Sequence, residues 1–199
     1  MNADHDDVHE AQHARLLEGL AASIREKGLA QAQVTDIVGH ARASRRTFYK
    51  HFPDKDSCFV ELTEALSRIL LERVEQAIDR DAPLATQIDQ AIDTYVDILL
   101  NEPGLTATFA SPALGERIVM AQRDGVERYA QLLLSVVAAD ADRDPEVAPV
   151  SLPRAYMLVS GCHQAIIRAV ARGEDLGELA GEIKAFMKAG LAAQPAGTR

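Results

Sequence analysis

The sequence predicts an all-α protein of about nine helices, three short N-terminal helices forming a head and longer ones forming a body. Three observations predict it. Apolar residues recur at i, i+3, i+4 and i+7 in every long segment, which is the spacing of one helix face. No segment alternates apolar and polar residues as a half-buried strand would. The periodic segments are separated by short breaks, such as Asp81-Ala82-Pro83, Asn101-Glu102-Pro103-Gly104 and the loop 139–149 with its two prolines. No internal repeat is visible.

Taken in order, Leu16, Leu17, Leu20, Ala21 and Ile24 share the face of a first helix, and Gly28 is its stop. Val34, Ile37, Val38 and Ala41 give a short second helix. After the small-residue break Ala41-Arg42-Ala43-Ser44, a third helix runs from about Ser44 to His51, and Pro53 ends it. Asp54 is placed to cap a fourth helix carrying Phe59, Leu62, Leu66, Ile69, Leu70, Val74 and Ile78. Ile88, Ile92, Tyr95, Val96 and Leu99 mark a fifth. A short helix near 105–110, a long one near 113–139, and two final ones near 152–172 and 176–192 complete the chain. The expected division is a head at 10–56, a body at 57–193, and disordered tails at 1–9 and 194–199.

The 199 residues carry a formal net charge of -9, with 47% hydrophobic and 26% charged residues, the balance of an ordinary folded domain. No apolar run approaches the roughly 20 residues that span a bilayer. The polar start MNADHDDVHE does not read as a signal peptide, and two cysteines, Cys58 and Cys162, make no disulfide framework, so a reducing cytoplasm is expected. The charge is segregated: residues 40–55 sum to +4, because Arg42, Arg45, Arg46, Lys50 and Lys55 face Asp54 alone.

That basic stretch also holds three of the nine aromatics. Phe48 and Phe52 are four apart and share an inward face, so Arg45, Arg46, Tyr49 and Lys50 point outward. A short apolar helix, a tight break and a basic helix have the spacing of a helix-turn-helix, whose second helix enters the major groove. Arginine suits the paired acceptors of guanine, and lysine and tyrosine suit phosphates. Ser44 caps the helix or reaches a phosphate. Lys55, near the start of the fourth helix, adds to a dipole that attracts phosphate.

The run GLAQAQVTDIVGHARASRRTFYKHFPDKDSCF at 28–59 resembles the DNA-binding head of the tetracycline-repressor (TetR) family. Gly28, Val34, Ile37, Ala41, Ser44, Thr47, Phe48, Tyr49, His51, Phe52 and Lys55 match its pattern in order, and the helix layout extends the likeness over nearly the whole chain. The resemblance implies DNA contacts from Val34, Ser44, Arg45, Arg46, Thr47, Tyr49, Lys50, His51 and Lys55. It also implies a homodimer that binds an operator on double-stranded DNA and leaves it when a small molecule occupies the body. Two positions depart from the pattern. Gln33 stands where Ser or Thr usually caps the second helix, and Arg42 stands where the turn usually has Gly.

In the body, polar or aromatic residues on apolar faces are the candidate ligand contacts: Tyr95, Phe109, Met120, Gln122, Tyr129, Met157 and His163. Each also reads as core filler. Arg117, Arg123 and Arg128 read as outer-face residues, so an uncharged apolar or aromatic effector is expected. Tyr156, Val159, Ile166, Val170, Leu179, Ile183 and Phe186 form two terminal stripes suited to a four-helix dimer interface or to an internal core. Cys162 and His163 are neighbours pointing about 100° apart, which disfavours a shared ligand or proton. His5, His9 and His13 have helical metal spacing but read as a solvated tail. No metal or cofactor is called for, and no acid–base pair or phosphate-cradling loop marks an enzyme. Three classes remain: a repressor released from a palindromic operator by a ligand, a DNA-binding regulator without small-molecule control, and a helical adaptor or enzyme on the same fold.

Overall fold

The computed structural model describes residues 3–109 and 115–192; the side chains of residues 3–7 and of Phe109 lie outside that description. Nine helices and no strand occur among the described residues: α1 (Ala3–Lys27), α2 (Val34–His40), α3 (Arg45–His51), α4 (Lys55–Ala77), α5 (Leu84–Asn101), α6 (Pro103–Phe109), α7 (Glu116–Ala141), α8 (Leu152–Arg172) and α9 (Leu176–Ala192). The expected C-terminal tail lies outside the described residues. At the other end, α1 is helical from Ala3, seven residues before the expected start of the head.

Local chemistry sets the helix ends. Gly28, at φ +77°, donates its N–H to the Ile24 carbonyl and closes α1. Asp54 caps α4, its carboxylate accepting from the Ser57 N–H at 2.7 Å; that bond holds the Asp54 carboxyl below its usual range. Ser151 opens α8, and Gly173 closes it in the left-handed region at φ +66°. Asp175 accepts from the Gly177 N–H at 2.7 Å and opens α9.

Packing divides the chain into two units, Met1–Leu66 with Pro103–Ala121, and Ser67–Glu102 with Gln122–Arg199. The first unit is built on Leu16, Leu20, Ile24, Ile37, Phe48, Phe52 and Phe59, all essentially without solvent access. Leu105, Ile118 and Ala121, from α6 and α7, complete that core. The second unit buries Ile88, Val96, Leu133, Val137, Leu158, Ile166, Ile183 and Met187 in one cluster, and Val74, Ile78 and Val136 in a smaller one. No helix of the described residues is long and apolar enough to cross a membrane.

Candidate nucleic-acid interface

Phe48 and Phe52 are both at 0% exposure, their ring centroids 5.5 Å apart, and they fix α3 to the core of the first unit. That anchoring decides the outward face. Arg45, Arg46, Tyr49 and Lys50 are all exposed, and Tyr49 touches Phe48 edge to face at its base. Ser44 is the N-cap: its Oγ accepts the Thr47 N–H at 3.0 Å and lies 2.8 Å from the Thr47 hydroxyl. Both side chains are therefore tied to the start of α3.

The turn between α2 and α3 is left-handed at one residue. Arg42 has φ +49°, and the Ala43 N–H reaches back to the Val38 carbonyl at 2.9 Å, the closure of a Schellman turn. The usual Gly is replaced without change of turn type, at a cost on the order of 1 kcal/mol. The start of α2, where Gln33 stands, is secured from inside the helix. Asp36 accepts the Gln33 N–H at 2.9 Å and pairs with Lys27 at 3.0 Å. The first of these bonds, then the second, lowers the Asp36 pKa.

Three of the expected contact residues turn inward. Val34 is half-buried against the core. Lys55 directs its ammonium to the Leu29 and Ala32 carbonyls, at 2.8 and 3.0 Å, clasping the loop between α1 and α2. His51 is half-buried at the end of α3, its ring 4.1 Å from that of His9 and 5.8 Å from that of His13. His9 and His13 are expected in a solvated tail; in the structure they pack against the end of α3, and His13 Nε2 lies 2.7 Å from Glu61 Oε2. The side chain of His5 lies outside the described residues. No group of three metal-ligating side chains that could hold an ion occurs among the described residues.

This geometry, an anchored short helix with a basic outer face behind a left-handed turn, has known counterparts. Residues 16–62 match the sequence model described as "Bacterial regulatory proteins, tetR family". The head is thus similar to that of tetR-family regulators. Among curated proteins, the uncharacterized HTH-type transcriptional regulator YvdT of Bacillus subtilis is 29% identical over 82 residues, 41% of this chain and 42% of that protein. The nucleoid occlusion factor SlmA of Haemophilus influenzae is 25% identical over 89 residues, 45% of this chain and 41% of its own length. The chain thus aligns with less than half the length of these relatives. The likeness of fold runs further than the tetR-type head. FadR from Bacillus subtilis, solved in complex with stearoyl-CoA, superposes with a TM-score of 0.71 at 16% identity, covering 89% of this chain and 98% of that one. A TetR transcriptional regulator from Rhodococcus sp. RHA1 superposes at 0.69 with 19% identity, covering 94% and 98%.

Outside the tetR-type head, the candidate ligand residues separate. Tyr95 and Tyr129 meet edge to face in the second unit, with ring centroids 5.5 Å apart. Burial raises the Tyr95 phenol to about 12 and raises the Tyr129 phenol as well. Gln122 and His163 are half-buried, and burial lowers the His163 pKa, favouring a neutral imidazole. The neighbouring Cys162 thiol is raised by burial to about 11 and is a packing group. Met120 and Met157 do not face inward as expected: they are 56% and 65% exposed. Each follows from the 100° step of the helix. Burial of Ile118 and Ala121 turns Met120 out on α7, and burial of Ala155 and Leu158 turns Met157 out on α8. The side chain of Phe109 lies outside the described residues.

The two terminal stripes also divide. Ile166 and Ile183 are buried within the protomer's own core, and Val159, Val170 and Leu179 pack against the same cluster, so these five serve the internal core. Tyr156 and Phe186 are exposed, and with Leu152 and Met157 they leave apolar surface on α8 and α9. Sequence reasoning missed one residue. Arg128, read as outward, is half-buried on α7, with Nη2 donating to Ser67 Oγ at 3.1 Å. Its position four residues before Leu132 on an apolar face was the available signal.

Proposed function

We propose that the protein is a DNA-binding transcriptional regulator, a homodimeric repressor that leaves a palindromic operator when a small apolar ligand enters the body. The observation that carries this reading is the outer face of α3. Arg45, Arg46, Tyr49 and Lys50 stand exposed on a helix held rigidly by two fully buried phenylalanines. That is a cationic, aromatic surface of the size that fits a major groove, on a chain whose total charge is -9. The remaining charge repels DNA, so specificity rests on this face. The FadR relative holds an acyl thioester, which supports an apolar effector for a body of the same fold. Exposed apolar surface on α8 and α9 supports a second copy as partner.

The test begins with selection of a bound duplex from random sequence, followed by gel shifts with Arg45→Ala and Lys50→Ala. A base-reading arginine costs about 1–3 kcal/mol at one base position, whereas a phosphate contact weakens every sequence alike. The recovered duplex is expected to have two half-sites ~34–36 Å apart or a multiple of that. Wild-type affinity in both variants would remove α3 from the interface.

A further inference from the structure

The second unit contains a cation without an anion. The Nε of Arg128 is sealed from solvent and has no hydrogen-bond partner, and among the described residues its guanidinium donates only to the neutral Ser67 hydroxyl. No carboxylate pairs with it among the described residues. The next side chain, Tyr129, has the same deficit: its hydroxyl is sealed and unpartnered. The ring of Tyr129 meets that of Tyr95 edge to face, and both pack, with Leu70 and Ala91 of α4 and α5, against the cluster of Val74, Ile78 and Val136. A guanidinium stays charged at every accessible pH and offers donors alone. A donor sealed from water and left unmatched is unfavourable, most of all on a charged group. A water molecule satisfies hydrogen bonds but leaves the charge uncompensated, so the arrangement is complementary to a bound anion with an apolar remainder.

We propose that the body's effector is an amphipathic carboxylic acid, its carboxylate received by Arg128 Nε and its hydrocarbon part against Val74, Ala91 and Tyr95. The inference rests on the effector reading of the body given above and narrows it to acids, against the uncharged effector expected from the sequence. An anion there accepts the orphan Nε–H and neutralises the guanidinium, and the apolar wall gains contact with the chain or ring of the acid. A matched alcohol gains the same apolar contact and leaves the charge as it was.

The experiment titrates the full chain by calorimetry with dodecanoate against dodecan-1-ol, and with 4-phenylbutanoate against 4-phenylbutan-1-ol. Within at least one pair the acid is expected to bind roughly thirtyfold tighter or more, the scale of a buried charge-assisted contact. Arg128→Met and Arg128→Gln are expected to erase the gap between acid and alcohol. Alcohols that bind as well as acids, a gap that survives both Arg128 variants, or no binding by any of the four compounds would each overturn the proposal. If neither variant folds, the acid-to-alcohol comparison on the unaltered protein decides. Operator titration separates this inference from the switch beneath it. An acid that binds through Arg128 without releasing operator removes the switch alone, and alcohols that release operator as well as acids do remove the acid preference alone.

Discussion

Three imidazoles share one corner of the head, and His51 resists protonation there. Burial, then the charges of His9 and His13, lower the His51 pKa, with Lys50 acting the same way and Glu61 opposing. A folded pKa below the unfolded value of about 6.5 means that the native state binds its proton less readily than the unfolded chain does. The contribution is therefore present above pH 6.5 and is lost as pH falls through that value toward the lower folded one. Between pH 8 and pH 5 the melting temperature should fall further for the native chain than for His51→Gln; equal falls in a thermal scan would sink the argument. Arg42 supports a second residue-scale prediction. Its φ of +49° is a left-handed conformation that favours glycine, so Arg42→Gly should stabilise the protein by about 0.5–1 kcal/mol in urea unfolding. A loss of stability there would mean that the arginine side chain contributes more than its backbone strain costs.

Among the elements, α1 and α2 approach so closely that one hydrogen matters. A Cβ built on Gly19 would lie 2.5 Å from the Ile37 carbonyl oxygen, and backbone inside a helix cannot step aside as a side chain can. Gly19→Ala should therefore destabilise the protein by about 1–3 kcal/mol despite alanine's better helix propensity, read from denaturant midpoints. An unchanged or raised midpoint would contradict the contact. What was legible in the sequence at this scale was periodic. Phe48 and Phe52, four apart, fixed which way Arg45 and Lys50 point, and the family resemblance flagged Arg42. The remainder depended on partners far along the chain. Lys55 reaches carbonyls 26 and 23 positions away, and nothing local distinguishes that use from a phosphate contact. Likewise, His9 and His13 gain their neighbour from α3, and Met120 and Met157 were misjudged by a single helical step. Arg128 was ambiguous because an arginine stem covers apolar surface equally well from outside.

For the molecule as a whole, association should depend on the apolar surface left on α8 and α9. Phe186 is 50% exposed, and its ring rests beside Gly161 on the neighbouring helix, so Phe186→Asp alters the surface with little disturbance to the protomer core. Light scattering at micromolar concentration should show a dimer for the native chain and a monomer for the variant; a dimeric variant places the interface elsewhere. The core of the first unit has a different kind of consequence. Its apolar side chains come from α1 to α4, but also from Leu105, Ile118 and Ala121, on the far side of α5 in the chain. During synthesis the N-terminal helices emerge first, yet the surface those three residues cover stays wet until the nascent chain has grown past Ala121. A ribosome stalled at residue 100 would display a helix-turn-helix with an open flank, a species for chaperones rather than for DNA.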